Sequence, residues 1–161
     1  MMYKYAVFLT CAVVAAVIDA NVAQDVAPAA APAFVGFSAT MNETKNFTDG
    51  QTVKYNNVIT NAGNNYDPNT GVFTAPMTAY YACHIHALSL TGFWFQLIHN
   101  EVPRVSAQGT TPNAWAMGGN SVLLYVKAGE RVYVRAVLYK SSAFGDSKQN
   151  YATFTCYLSG L

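Results

Sequence analysis

From Phe34 to Leu161 short apolar runs alternate with turn residues, and nowhere do apolar positions recur at the three-to-four spacing of an amphipathic helix. Residues 35–41, 52–60, 71–76, 79–90, 93–101, 121–129, 131–139 and 151–161 are rich in Tyr, Phe, Val and Thr. They are bounded by Gly, Asn and Pro, so each predicts a β-strand. In "RVYVRAVLY" Val132, Val134, Ala136 and Leu138 share one face, and Arg131, Tyr133 and Arg135 the other. "SVLLYV" does not alternate: Leu123 and Tyr125 are as apolar as Val122, Leu124 and Val126. Such a strand must be covered on both faces. In a two-layer sandwich the core covers one face of a sheet, so a partner subunit is the simplest source of the second cover. The pattern predicts an all-β sandwich that associates.

The N-terminus departs from this pattern. "MMYKYAVFLTCAVVAAVIDA" has a cationic start and an apolar stretch from Ala6 to Ile18, too short for the roughly 20 residues that span a bilayer. It reads as a secretory signal over 1–20, cleaved after Ala20, which makes the protein secreted and extracellular with no membrane span. "NVAQDVAPAAAP" opens an Ala/Pro-rich tether over 21–33 with no collagen repeat, and the globular domain follows over 34–161. Cys11 leaves with the signal, so Cys83 and Cys156 form an even pair in an oxidising compartment and are disulfide candidates. Export also makes Asn42 and Asn46, in the polar stretch "NETKNFT", N-glycosylation acceptors.

A net charge of +1 lacks the electrostatic footprint of a nucleic-acid binder. The bases are uneven, though. Arg104, Lys127, Arg131, Arg135, Lys140 and Lys148 face only Glu130 and Asp146 in the C-terminal part, which is either a solvated face or a shallow basic surface for anionic ligands. No nucleophile elbow, His-Glu-x-x-His or phosphate-cradling loop occurs, so no catalytic residue is expected and the chain does not read as an enzyme. His84 and His86, at i and i+2 of a strand, are weak metal candidates with His99 as a third ligand. No acid or cysteine sits at ligand spacing beside them, and polar packing near a subunit contact is the plainer reading.

The stretch "GNNYDPNTGVFTAP" packs turn signals tightly, and its wider context "VITNAGNNYDPNTGVFTAPMTAYY" resembles the central signature of the C1q globular domain in the C1q/tumour-necrosis-factor superfamily. Asn61, Gly63, Tyr66, Asp67, Gly71, Phe73, Pro76 and Tyr81 carry the likeness. Phe37 in "VGFSA", Tyr55 in "VKY", the run "GNSVLLYVKAGERVYV" and the closing "YATFTCYLSGL" extend it from Phe34 to Leu161, with Glu130 where aspartate is usual. The resemblance implies a ten-strand jelly roll assembled as a homotrimer, or mixed with other C1q-domain chains. It implies that the signature turn is scaffold, with Tyr66 and Phe73 plugging the sandwich. It also places Cys83 and Cys156 on neighbouring strands facing the core with Tyr81, Ile85, Phe154 and Leu158, within reach of a bridge.

In function the resemblance implies a collagen-less secreted protein of the invertebrate innate-immune type, with lectin-like binding of microbial glycans such as lipopolysaccharide. The alternative is a structural or receptor-ligand trimer, a matrix component or cytokine-like protein. Arg104, Trp115, Lys140 and Lys148 are the expected ligand contacts; an exposed Trp115 would stack on a sugar face or plug the trimer top. Some members bind calcium through acids ahead of the apolar strand. Here "TPNAWAMGGNS" has no carboxylate, so no cofactor is expected.

Overall fold

The computed structural model describes residues 34–110, 114–137 and 141–161; the predicted signal and tether, Leu138 and Lys140 lie outside them. In chain order the first strands are β1 (Gly36–Thr40), β2 (Glu43–Phe47), β3 (Asn57–Ala62), β4 (Tyr66–Asp67), β5 (Val72–Thr74) and β6 (Ala79–Ser89). They are followed by β7 (Phe93–His99), β8 (Val102–Gly109), β9 (Ala116–Val126), β10 (Arg131–Ala136), β11 (Ser141–Asp146) and β12 (Thr153–Gly160). One five-stranded sheet runs β3–β1–β12–β6–β9 and the other β4–β5–β10–β7–β8, while β2 and β11 form a separate pair. The two five-stranded sheets supply the ten strands of the expected jelly roll, a sandwich that limits exposed sheet edges.

The signature turn is built as scaffold. Asn61 brackets Tyr66 on both sides, its amide donating to the Tyr66 carbonyl at 2.8 Å and its side-chain oxygen accepting the Tyr66 N–H at 3.2 Å. That drives the Tyr66 ring inward, stacked on Phe37 at 4.1 Å, with Phe154 edge-on to Phe37 at 4.8 Å. The Tyr66 hydroxyl donates to the Tyr55 carbonyl, and burial pushes both phenols well above the ordinary tyrosine range. Gly71 closes the turn at φ +78°, where a Cβ would also strike the Val53 carbonyl. Phe73, fully buried, packs against Tyr81 from the opposite sheet. Inside this core Cys83 and Cys156 are directly opposite in the β6–β12 ladder and are joined by a disulfide.

The structure corrects several boundaries. The polar sequon stretch, given no strand in the sequence reading, forms β2 from Glu43 to Phe47, with Asn42 and Asn46 exposed beside its partner β11. Strand β3 starts at Asn57 and not at Thr52, which makes only an isolated bridge to Arg135. β8 and β11 carried no strand signal. β8 is an edge strand whose Pro103 and outward Arg104 and Ser106 break the apolar pattern. β9 begins at Ala116, because Gly118 and Gly119 belong to the ladder despite reading as turn residues.

Candidate functional site

The two ends of the sandwich separate the residues expected to share a ligand. At one end Ser89 pairs with Ala116, and Phe93 pairs with Gly109; at the other, Ala79 meets Val126 and His99 meets Val102. Trp115 and Lys148 lie at the first end and Arg104 at the second, roughly 20 Å away along β7. Arg104 is exposed but engaged, donating from its guanidinium to His99 Nδ1 at 3.3 Å. That contact leaves the His99 proton on Nε2, which donates to Glu130 at 2.7 Å. The Lys127 N–H, and then His99, hold the Glu130 carboxyl below the usual range. Arg131 is paired with Glu101 at 2.9 Å. The bases of the C-terminal half therefore do not form one patch among the described residues.

At the Trp115 end a hollow of about 380 Å³ is lined by Leu88, Trp115, Phe144, Gln149 and Tyr151. Trp115 is 54% exposed and stands edge-on to Phe144 at 5.1 Å. Phe144 in turn meets Tyr151 at 6.0 Å, giving three rings in a row. The turn between β11 and β12 holds one wall. Asp146 accepts the Lys148 N–H at 2.7 Å and the Asn150 N–H at 2.9 Å, and Asn150 then accepts the Thr40 hydroxyl. Lys148 and Gln149 are thereby presented outward. Apolar ring faces beside an amide suit the CH face and hydroxyls of a sugar. Phe144 was missed from the sequence because "SSAFGD" alternates no apolar residues that would mark β11 as a strand.

A larger cleft of about 510 Å³ beside the signature turn includes Asn65, Asp67, Thr70 and Arg131. Its charges are already engaged. Asp67 accepts from the Asn69 N–H and the Thr70 hydroxyl, which depress its carboxyl, and Arg131 holds Glu101.

The remaining surface is the outer face of the β3–β1–β12–β6–β9 sheet. It exposes Ile59, Tyr80, Met117, Leu123 and Tyr125, with Leu123 59% accessible. None of the residues in these five strands is Asp, Glu, Lys or Arg. His84 and His86 lie on this face, half-buried, whereas His99 is in the opposite sheet. His99 therefore cannot complete a metal site with them, and no group of three or more His, Cys, Asp or Glu that could hold a metal occurs among the described residues. Among the described residues no helix is long and apolar enough to cross a membrane.

Comparison with known proteins agrees with this architecture. The C1q domain family model matches residues 36–159. The chain is 26% identical over 130 residues to mouse complement C1q tumor necrosis factor-related protein 6, covering 77% of this chain and 47% of that protein. It is 32% identical over 133 residues to zebrafish Caprin-2, covering 77% of this chain but 14% of the relative. The chain thus spans less than half the length of these relatives. Among solved structures it is similar to the globular domain of zebrafish complement 1qA protein, with a TM-score of 0.66 and 20% identity over 78% of this chain and 96% of that one. It is also similar to Eiger TNF from S. frugiperda, with a TM-score of 0.67 and 11% identity over 80% of this chain and 94% of the other. Domains of this superfamily are generally extracellular, form trimers, and act as recognition or ligand proteins rather than enzymes. An Asn61-bracketed tyrosine, two sheets closed over it and a family match across both make one conclusion: the chain belongs to the C1q domain family.

Proposed function

We propose that this protein is a secreted trimeric recognition module that binds microbial surface glycans, lipopolysaccharide among them, at the Trp115 end of the sandwich. The observation that carries the reading is the row of rings Trp115, Phe144 and Tyr151 around an open hollow with Gln149 on its wall. A sugar ring stacks on an exposed indole through its CH face, and the amide supplies a directional hydrogen bond. Lys148 at the same end adds attraction for phosphate or carboxylate groups, and Lys140 extends it in the reading made from the sequence. Single exposed charges contribute only about 0–1 kcal/mol. Three copies per trimer turn such weak contacts into useful avidity.

The stretch from Ala114 to Ser121 brings no carboxylate to this end, and the Asp146 carboxylate is taken up by the Lys148 N–H, so the reading is of calcium-insensitive binding. N-glycans on Asn42 and Asn46 and removal of residues 1–20 fit the same exported life. The test is a glycan array on the purified trimer, with and without chelator, followed by Trp115→Ala. The reading expects binding that survives chelator, weakens as salt is raised and drops about tenfold or more in the variant while the trimer persists. Binding that chelator abolishes, or that Trp115→Ala leaves unchanged, contradicts it.

A further inference from the structure

We infer that His84 and His86 make the assembly acid-sensitive, the trimer coming apart as the two imidazoles take up protons. The inference rests on the trimeric reading above and concerns what regulates it. On β6 the two histidines alternate with buried Cys83, Ile85 and Ala87, so both point to the outer face of the uncharged sheet. From β9 the groups facing them are Ser121 and Gly119, and from β12 Thr153, Thr155 and Tyr157. His84 Nδ1 is 2.8 Å from the Ser121 hydroxyl, and its ring stacks on Tyr157 at 5.8 Å. His86 Nδ1 is 3.4 Å from the Thr153 hydroxyl. Its ring lies so close over Gly119 that any Cβ there would collide with it.

No carboxylate in these strands can offset a positive imidazolium. The other titratable groups on the face are Tyr80, Tyr125 and Tyr157, and phenols of this kind carry no charge in mild acid. The nearest bases in sequence, Lys127 after β9 and Lys148 before β12, lie beyond the strand ends and would only repel a new positive charge. While the face is open, water solvates the protonated rings. When a neighbouring subunit covers it, a charged imidazole loses that water and gains no counter-ion from the strands of its own sheet, so the neutral form is favoured.

The sign follows from linkage. Assembly then binds fewer protons than the separate subunits, so association weakens as pH falls. Histidine is the side chain that changes charge between pH 5 and 8, and that sets the window. If one histidine per subunit must stay neutral, three protons are excluded per trimer. The association constant then falls by up to about a thousandfold per pH unit once the imidazoles of the separate subunits are fully protonated. His86 is the stronger contributor, because the Tyr157 ring under His84 offers an imidazolium a cation–π contact that His86 lacks.

The experiment is sedimentation velocity on the purified protein at pH 7.5 and 5.5 from 0.1 to 10 μM, repeated on His84→Gln, His86→Gln and the double variant. The inference expects a trimer at pH 7.5 that dissociates at pH 5.5 with unchanged circular dichroism. The double variant should remain trimeric at both values, and His86→Gln should recover more acid resistance than His84→Gln. A wild-type trimer equally stable at both pH values overturns the inference, as does a double variant that dissociates in acid like the wild type. A monomer at pH 7.5 would instead contradict the trimeric reading itself. If the variants do not fold, calorimetry of wild-type dissociation at pH 6 in two buffers of different ionisation enthalpy decides the matter: net proton uptake supports the inference, and none refutes it.

Discussion

The two sheets of this sandwich share one core and differ in what they show to the outside. The β4–β5–β10–β7–β8 sheet carries Asp67, Arg104, Arg131 and Arg135, and its surface charges are tied into contacts such as Arg131–Glu101 and Arg104–His99–Glu130. The β3–β1–β12–β6–β9 sheet has no acid, lysine or arginine in any strand, yet it leaves Tyr80, Leu123 and Tyr125 exposed. Core packing does not explain the difference, because both sheets supply fully buried residues to the same core. A set of exposed apolar side chains on one uncharged face marks an interaction surface. One sheet is finished for water and the other for a neighbour.

Changes in the shared core should affect both sheets and have the largest effect. Phe73→Ala removes a fully buried ring wedged between Phe37 and Tyr81 and should destabilise the domain by about 3–5 kcal/mol in denaturant titration. Next comes the bridge that pins β6 to β12 beneath the uncharged face. Replacing Cys83 and Cys156 together by Ala should cost about 2–5 kcal/mol, and mass mapping of the non-reduced protein should recover the two cysteine peptides linked. Two alkylatable thiols in the folded protein would refute the pairing.

A change confined to the outer face should separate assembly from folding. Leu123→Asp places a carboxylate where a subunit would cover it and should weaken association at least tenfold, while leaving the monomer's circular dichroism unchanged. On the charged sheet the corresponding change is small. Arg131→Ala breaks an exposed ion pair and should shift stability by at most about 1 kcal/mol. The two sheets should also respond to acid in different windows. The Glu130 and Asp67 carboxyls are held low in the fold, so the stability they add is present above the ordinary carboxylate range and lost as pH falls through their lowered values. That loss lies at and below the ordinary carboxylate range, whereas histidine-driven loss on the uncharged face belongs to the milder acid in which imidazoles gain charge.

Much of this contrast was legible in the sequence. The two-sided apolar run Val122–Val126 marks the face, since a strand with Leu123 and Tyr125 between core residues has no solvent side. The signature turn was legible because Asn61, Asp67 and Gly71 act through local hydrogen bonds and backbone angles. The Trp115 end was only half legible. Trp115 stood out by type, but Phe144 and Tyr151 reach it from β11 and the segment before β12, a juxtaposition no local pattern encodes. For the same reason the surplus of bases after Arg104 suggested a patch that the fold divides between opposite ends of the sandwich. Edge strands such as β8 escape pattern reading because one side of their ladder is open and their polar residues need not alternate.

The central claim is that the uncharged sheet is a subunit interface, and multi-angle light scattering of the purified protein at neutral pH and micromolar concentration tests it most directly. The account predicts a single species of three times the chain mass, reduced to one chain by Leu123→Asp. A monodisperse wild-type monomer would contradict it.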